Sequence, residues 1–197
     1  APELSDADIG NLAAAEPQWI YFSTLQPMSK TALSLLEHVL AALPRARRFY
    51  DVNLRKESYT RALLEKLLGH ANVLKLNDTE AKTVGAMFEM GSHNIEDRCG
   101  ALANRFELEC VCVTRGEQGC ALWRDGEYVE AYGREIAVAD AVGAGDAFSA
   151  GLIHGLTRAW SFKKIVVFAN NLGALVASRE GAVAPWSVEE VENSNLP

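Results

Sequence analysis

The feature that most limits how this chain can fold is a repeated alternation of short apolar runs with longer stretches of helical spacing. The runs at residues 18–22, 48–52, 72–76 and 109–114 are rich in aromatic, aliphatic and β-branched side chains, the composition of strands. Between the first two, Leu33, Leu36, Val39 and Leu40 recur at three- and four-residue intervals, which places them on one helix face. Ser29 stands where an N-cap is needed, and Pro44 stops the helix after about residue 43. Residues 59–68 read as a second helix closed by Gly69, and residues 78–87 as a third capped by Asp78. Residues 95–106 read as a fourth. Strands that alternate with helices imply an α/β fold with a mainly parallel sheet covered by helices on both faces.

The pattern then changes. Asp125-Gly126 separates two runs at residues 119–124 and 127–131, the two-residue signal for an antiparallel hairpin. Residues 136–139 read as a last short strand, and residues 145–157 and 162–179 as two closing helices. No internal repeat or long linker interrupts the chain, so residues 1–197 are expected to form one domain with a frayed tail at 192–197.

Composition narrows the function classes. Nineteen Lys and Arg against 26 Asp and Glu give a formal charge of -7, which argues against a nucleic-acid binder with a basic face. The most apolar stretch, residues 165–177, is broken by Asn170 and Asn171, so no membrane span is expected. The first residues carry neither a basic nor an apolar signal region. The cysteines at 99, 110, 112 and 120 form no Cys-x-x-Cys pair. They are expected as buried, reduced thiols of a cytoplasmic protein, with Cys110 and Cys112 on one face of a strand. Trp19, Tyr21 and Phe22 alternate between strand core and surface with no ligand role, Trp123 and Trp160 read as packing residues, and the Arg45, Arg47, Arg48 run as a solvated turn.

In such folds ligands sit beyond the carboxyl ends of the strands. There the informative segment is Asp140-Ala141-Val142-Gly143-Ala144-Gly145-Asp146-Ala147-Phe148. Gly143, Ala144 and Gly145 leave their backbone open, and amides at a helix N-terminus form an anion cradle. Asp146 sets a carboxylate beside that cradle. A general base taking a proton from an attacking hydroxyl accounts for it; a helix-capping residue in a tight turn accounts for it equally. The segment is neither a Walker A loop nor a Gly-x-Gly-x-x-Gly fingerprint.

With the helix after it, this segment resembles the second signature of the ribokinase-like, phosphofructokinase B type carbohydrate kinases. Asn77-Asp78-Thr79-Glu80 is similar to the family's Asn-x-x-Glu motif, and Thr114-Arg115-Gly116-Glu117-Gln118-Gly119 to its Thr-x-Gly-x-x-Gly turn. Asp51-Val52-Asn53-Leu54-Arg55 resembles its Asp-x-Asn-x-Arg segment. Phe168-Ala169-Asn170-Asn171 through Gly181-Ala182 resembles its nucleotide-side helix and loop.

The resemblance implies ATP-dependent phosphorylation of a sugar hydroxyl, with Asp146 as catalytic base and the amides of Gly143, Ala144 and Gly145 as the anion hole. It implies that Asn77 and Glu80 organise Mg2+ through water, although the two residues also read as a helix capping box. Thr114, Gly116 and Gly119 would line ATP, with Asn170 near adenine; a plain turn and an exposed helix position are the competing readings. Asp140 would hold a monovalent cation such as K+, or else stabilise its turn. Arg55 would meet phosphate, or else remain solvated.

Two departures qualify the match. Ala141 stands where the family signature has Thr. The resemblance also implies an N-terminal part, with most sugar contacts, that is expected to be missing from this chain. The expectation is therefore the catalytic portion of a sugar kinase with a small-molecule sugar substrate. It would associate as a dimer or with an N-terminal companion segment, because missing strands leave a sheet edge open. A nucleoside or pyrimidine-precursor kinase on the same fold, and a non-catalytic nucleotide-binding or scaffold protein, are the alternatives.

Overall fold

The computed structural model describes residues 4–27, 29–56, 58–91, 94–181, 183 and 185–193. Six strands form one sheet in the order β1-β2-β3-β4-β5-β6, and the chain divides into two compact units, Ala1–Val111 and Cys112–Pro197.

In the first unit, α1 (Asp6–Ala14) leads into β1 (Trp19–Ser23), α2 (Lys30–Ala42), β2 (Arg47–Asp51), α3 (Arg61–His70) and β3 (Val73–Asn77). Then come α4 (Asp78–Met87), α5 (Ile95–Phe106) and β4 (Cys110–Thr114), which starts in this unit. The β1–β2 and β2–β3 pairs are parallel, with Ser23 opposite Asp51 and Asp51 opposite Lys75. Ser29 caps α2 as expected, and Thr60 and Asn94 cap α3 and α5 through their side chains. Phe49, Tyr50, Val52, Leu64, Leu67, Leu74 and Leu76 are fully enclosed, so β2, β3 and α3 supply much of this unit's core.

The second unit holds most of β4, then β5 (Cys120–Arg124), β6 (Glu127–Ala131), α6 (Ala144–Thr157), α7 (Phe162–Ala177) and α8 (Val188–Asn193). β5 and β6 are antiparallel around Asp125 and Gly126. Both of those residues have positive φ, 52° and 85°, as a primed hairpin turn requires. All four cysteines are free and buried.

Several expectations are corrected. Gly69 does not close α3; the helix continues to His70 and leaves in extended form at Ala71, so no left-handed residue is needed. Asp78 is the first helical residue of α4, and the cap is Asn77. Residues 136–139 form no strand: the Ala139 amide donates to the Ala177 carbonyl of α7 at 2.9 Å instead of to a strand neighbour, and upstream Asn170 Nδ2 donates to the Tyr132 carbonyl at 2.9 Å. Arg47 and Arg48 open β2 rather than a solvated turn. The Arg47 guanidinium lies 4.3 Å from the Trp19 ring centroid and 2.7 Å from Glu109 Oε2. Helix α1 is an element beyond those expected, and its Ser5–Asp8 capping box is a legible start signal. Glu192 and Asn193 of the expected frayed tail end α8; residues 194–197, like Ala182 of the expected nucleotide loop, lie outside the described residues.

Candidate active site

The Gly143–Asp146 turn is built as an open helix start. Gly143 caps α6 with φ 83°, a left-handed conformation that glycine adopts without cost to a Cβ. Side chains cap α1, α2, α3, α4, α5 and α7, and Ser187 Oγ accepts from the Glu190 amide at the start of α8, but none caps α6. The Ala144 amide reaches back to the Ala141 carbonyl at 3.3 Å, and the Ala147 amide to Gly143 at 2.8 Å. The Gly145 amide meets no partner among the described residues. An uncapped first turn concentrates partial positive charge and unanswered N–H donors, the properties of an anion site. Asp146 lies in this first turn and is exposed.

Asp140 shapes the approach to that turn. Its Oδ1 accepts from the Val142 amide at 2.9 Å, an Asx turn, and its own amide donates to the Ala177 carbonyl at 3.2 Å. Helix α7 thus serves as the platform for the whole 132–145 segment. Ala177 holds residues 139 and 140, Asn170 holds the Tyr132 carbonyl, and Asn171 Oδ1 accepts from Arg134 Nε at 3.0 Å. Both asparagines are buried. Asn170 is therefore an anchor of the strand-to-helix connection, not an exposed position, and its sequence signal was a polar residue in an otherwise apolar helix.

The Thr114–Gly119 turn carries two different glycines. Gly116 has φ 58° and open space where a Cβ would stand, so conformation alone explains it. Gly119 has φ 86°, and a Cβ there would lie 2.0 Å from the Ala131 carbonyl oxygen. Across from it, a Cβ on Gly133 would lie 1.7 Å from the Glu117 oxygen. The two backbones press together, and only glycine permits this. Gly133 escaped the sequence reading because it lies outside the turn motif it completes. Thr114 is half-buried at the end of β4.

In the first unit, Asn77 and Glu80 close a reciprocal box. Asn77 Oδ1 accepts from the Glu80 amide at 2.8 Å, and Glu80 Oε2 accepts from the Asn77 amide at 2.8 Å. Glu80 Oε1 accepts from the Leu54 amide at 2.9 Å. Glu80 is buried, so one carboxylate ties the loop after β2 to the start of α4. That loop turns at Asn53, whose φ of 43° suits an asparagine better than most residues. Arg55 is exposed, and its backbone amide donates to Ser58 Oγ at 3.0 Å. Both readings of the Asn77–Glu80 pair are chemically compatible: each carboxylate oxygen that accepts one amide retains a lone pair for a metal-bound water.

The pfkB family carbohydrate kinase model matches residues 3–189. The chain belongs to this family. It is 27% identical over 179 residues to an Escherichia coli fructokinase, covering 84% of this chain and 57% of the relative. Its fold is similar to a 2-dehydro-3-deoxygluconokinase from Thermotoga maritima, with a TM-score of 0.84, 21% identity, and coverage of 96% of this chain and 63% of the other. A Vibrio cholerae fructokinase solved with fructose, ADP and potassium ion has a TM-score of 0.72 and 24% identity, over 84% of this chain and 56% of that one. The chain spans about three fifths of the length of this relative and of these two structures.

Within the family frame, the second unit gathers Asp140, Gly143, Ala144, Gly145, Asp146 and Asn170 around α6 and α7, and Thr114, Gly116 and Gly119 at β4–β5. Asn77 and Glu80 belong to the first unit. No group of three or more His, Cys, Asp and Glu suited to a metal ion occurs among the described residues. None of the described helices is long and apolar enough to cross a membrane.

Proposed function

We propose that this chain carries the catalytic and nucleotide-binding portion of an ATP-dependent sugar kinase. The observation that carries the reading is the uncapped start of α6, with left-handed Gly143, an unpartnered Gly145 amide and Asp146 in the first turn. An N-terminus left without a side-chain cap, where the seven other described helices have one, fits a ligand that supplies the negative charge. Asp146 is the base that accepts the proton of the attacking hydroxyl. The Gly145 amide, with the Gly143 amide beside it, stabilises charge on the transferring phosphoryl group, while the Ala144 amide, which donates to the Ala141 carbonyl at 3.3 Å, holds the turn in shape.

ATP brings the phosphoryl group, and Mg2+ neutralises charge on its phosphates when both are bound. Thr114, Gly116 and Gly119 would run along the nucleotide, and Asn170 would fix the segment beside adenine. Asn77 and Glu80 would orient magnesium-bound water. Asp140 spends Oδ1 on its Asx turn, which leaves Oδ2 for a monovalent cation such as K+. The fructokinase names among the relatives favour a ketose acceptor.

The test is Asp146→Asn in the chain as it stands, with MgATP binding by calorimetry and ATP consumption against fructose, 2-keto-3-deoxygluconate and nucleosides. The expected result is retained MgATP binding with turnover reduced at least about a thousandfold. Turnover unchanged by the substitution overturns the assignment of the base. A folded chain that binds no MgATP overturns the kinase reading in favour of a scaffold.

A further inference from the structure

Helices α6 and α7 pack along glycines in a constant register. A Cβ on Gly155 would stand 2.9 Å from Ile165 Cγ1, and one on Gly151 would stand 3.0 Å from the Ala169 Cα. Each step of four residues back along α6 is met by a step of four forward along α7, as antiparallel helices in close contact require. The next step pairs Gly173 with the first turn of α6. A Cβ on Gly173 would lie 3.2 Å from the Ala144 carbonyl oxygen and 3.5 Å from Phe148 Cβ.

The identity of that nearest atom matters. The Ala144 carbonyl and the Gly145 N–H are the two ends of one rigid peptide plane. A side chain at position 173 cannot press on the oxygen without tilting the N–H at the other end. The peptide has little freedom to answer otherwise. Ala144 N–H is held by Ala141, and the Gly145 carbonyl accepts from Ser149 Oγ at 3.0 Å.

We infer that Gly173 is a positioning residue for the α6 cradle: its missing side chain fixes the direction of the Gly145 N–H toward a bound phosphoryl oxygen. The inference deepens the kinase reading and rests on it for the identity of the ligand. Orientation at this level matters because a donor aimed at developing charge loses its effect with small angular errors. Sequence reading gives no hint of the role, since Gly173 lies in an apolar helix far along the chain from Gly145.

The experiment compares Gly173→Ala with Gly151→Ala in the 197-residue chain. Both add one methyl to the α6–α7 contact, and alanine is the better helix former, so neither loses helix propensity. Gly151 faces the tighter contact but lies beyond the first turn. Backbone amide NMR shifts of Gly143, Ala144 and Gly145 are the first readout, and calorimetric titration of MgATP and MgADP is the second. Gly173→Ala is expected to move the Gly145 amide well beyond its shift in Gly151→Ala. It should also weaken MgATP about five- to tenfold while MgADP changes less than twofold. Equal Gly145 shifts in the two variants, or equal losses for both nucleotides, overturn the positioning role. If the parent chain binds no nucleotide, the kinase reading falls, and the amide shifts alone decide whether Gly173 orients Gly145. If Gly151→Ala fails to fold, Gly155→Ala is the control.

Discussion

Lys75 and Asp51 form a two-pronged ion pair on adjacent parallel strands, with Nζ 3.1 and 3.0 Å from the two carboxylate oxygens and side chains only 10% and 5% exposed. The register that sets Asp51 opposite Lys75 makes the pair, and Tyr21 adds a hydroxyl to Asp51 Oδ2 at 3.2 Å. Removing one partner of a buried pair leaves the other charge without compensation, which costs about 3–5 kcal/mol. Lys75→Met should therefore lower stability in urea by about 3 kcal/mol. The double variant Asp51→Leu/Lys75→Met should recover most of that loss. A double variant no more stable than the single one would show that the pair is not what holds these strands.

Gly133 and Gly119 set backbone directly against backbone. With a Cβ position 1.7 Å from the Glu117 oxygen, Gly133→Ala requires the Gly116–Gly119 turn or the chain after β6 to move. Overpacking of this kind costs about 1–3 kcal/mol, and the upper end is expected because no flexible side chain can yield. Gly126→Ala has open space and only its φ of 85° to oppose it, so a loss of about 1 kcal/mol is expected there. Thermal unfolding of the two variants side by side tests the ordering.

The contrast between Gly133 and Asp146 shows what the sequence made legible. Strand–helix alternation, the caps at Ser29 and Asn77, the Asp125-Gly126 hairpin and the Gly-Ala-Gly-Asp turn are local signals, and each has a counterpart in the structure. What escaped depends on contacts between distant residues. Residues 136–139 look like a strand by composition, but the Ala139 amide bonds to the Ala177 carbonyl of α7 rather than to a neighbouring strand. Arg47 looks solvated until Trp19 and Glu109 close on it. Gly133 and Gly173 gain meaning only from the backbone opposite each.

The Asn77–Glu80 box separates local capping from the tie to the loop after β2. Asn77→Ala removes one N-cap acceptor and should cost about 1 kcal/mol. Glu80→Ala leaves the amides of both Asn77 and Leu54 without their carboxylate and should cost about 2–3 kcal/mol. Hydrogen exchange supplies the sharper measurement. The Leu54 amide should lose protection in Glu80→Ala and keep it in Asn77→Ala. Equal protection in both variants would remove the loop-tying role.

The buried thiols give a pH dependence with a definite sign. Burial pushes the Cys99 and Cys120 thiols up from 9.0 to about 12, with a smaller opposing pull from Arg98 and Arg115 respectively. Burial likewise raises the Tyr50 hydroxyl. Below pH 9 the thiols are protonated in folded and unfolded chains alike, and the shift has no effect. Between pH 9 and 12 the unfolded chain releases these protons and the folded chain does not. The folded state then binds more protons, and stability falls as pH rises, by about 1.4 kcal/mol per pH unit for each thiol. Urea unfolding from pH 7 to 10.5 should show a flat region followed by this decline, and Cys99→Ala/Cys120→Ala should flatten its early part. The same burial predicts that the folded chain resists thiol reagents at pH 8 and reacts fully in urea. Rapid modification of Cys99 or Cys120 in the folded chain would contradict their enclosure.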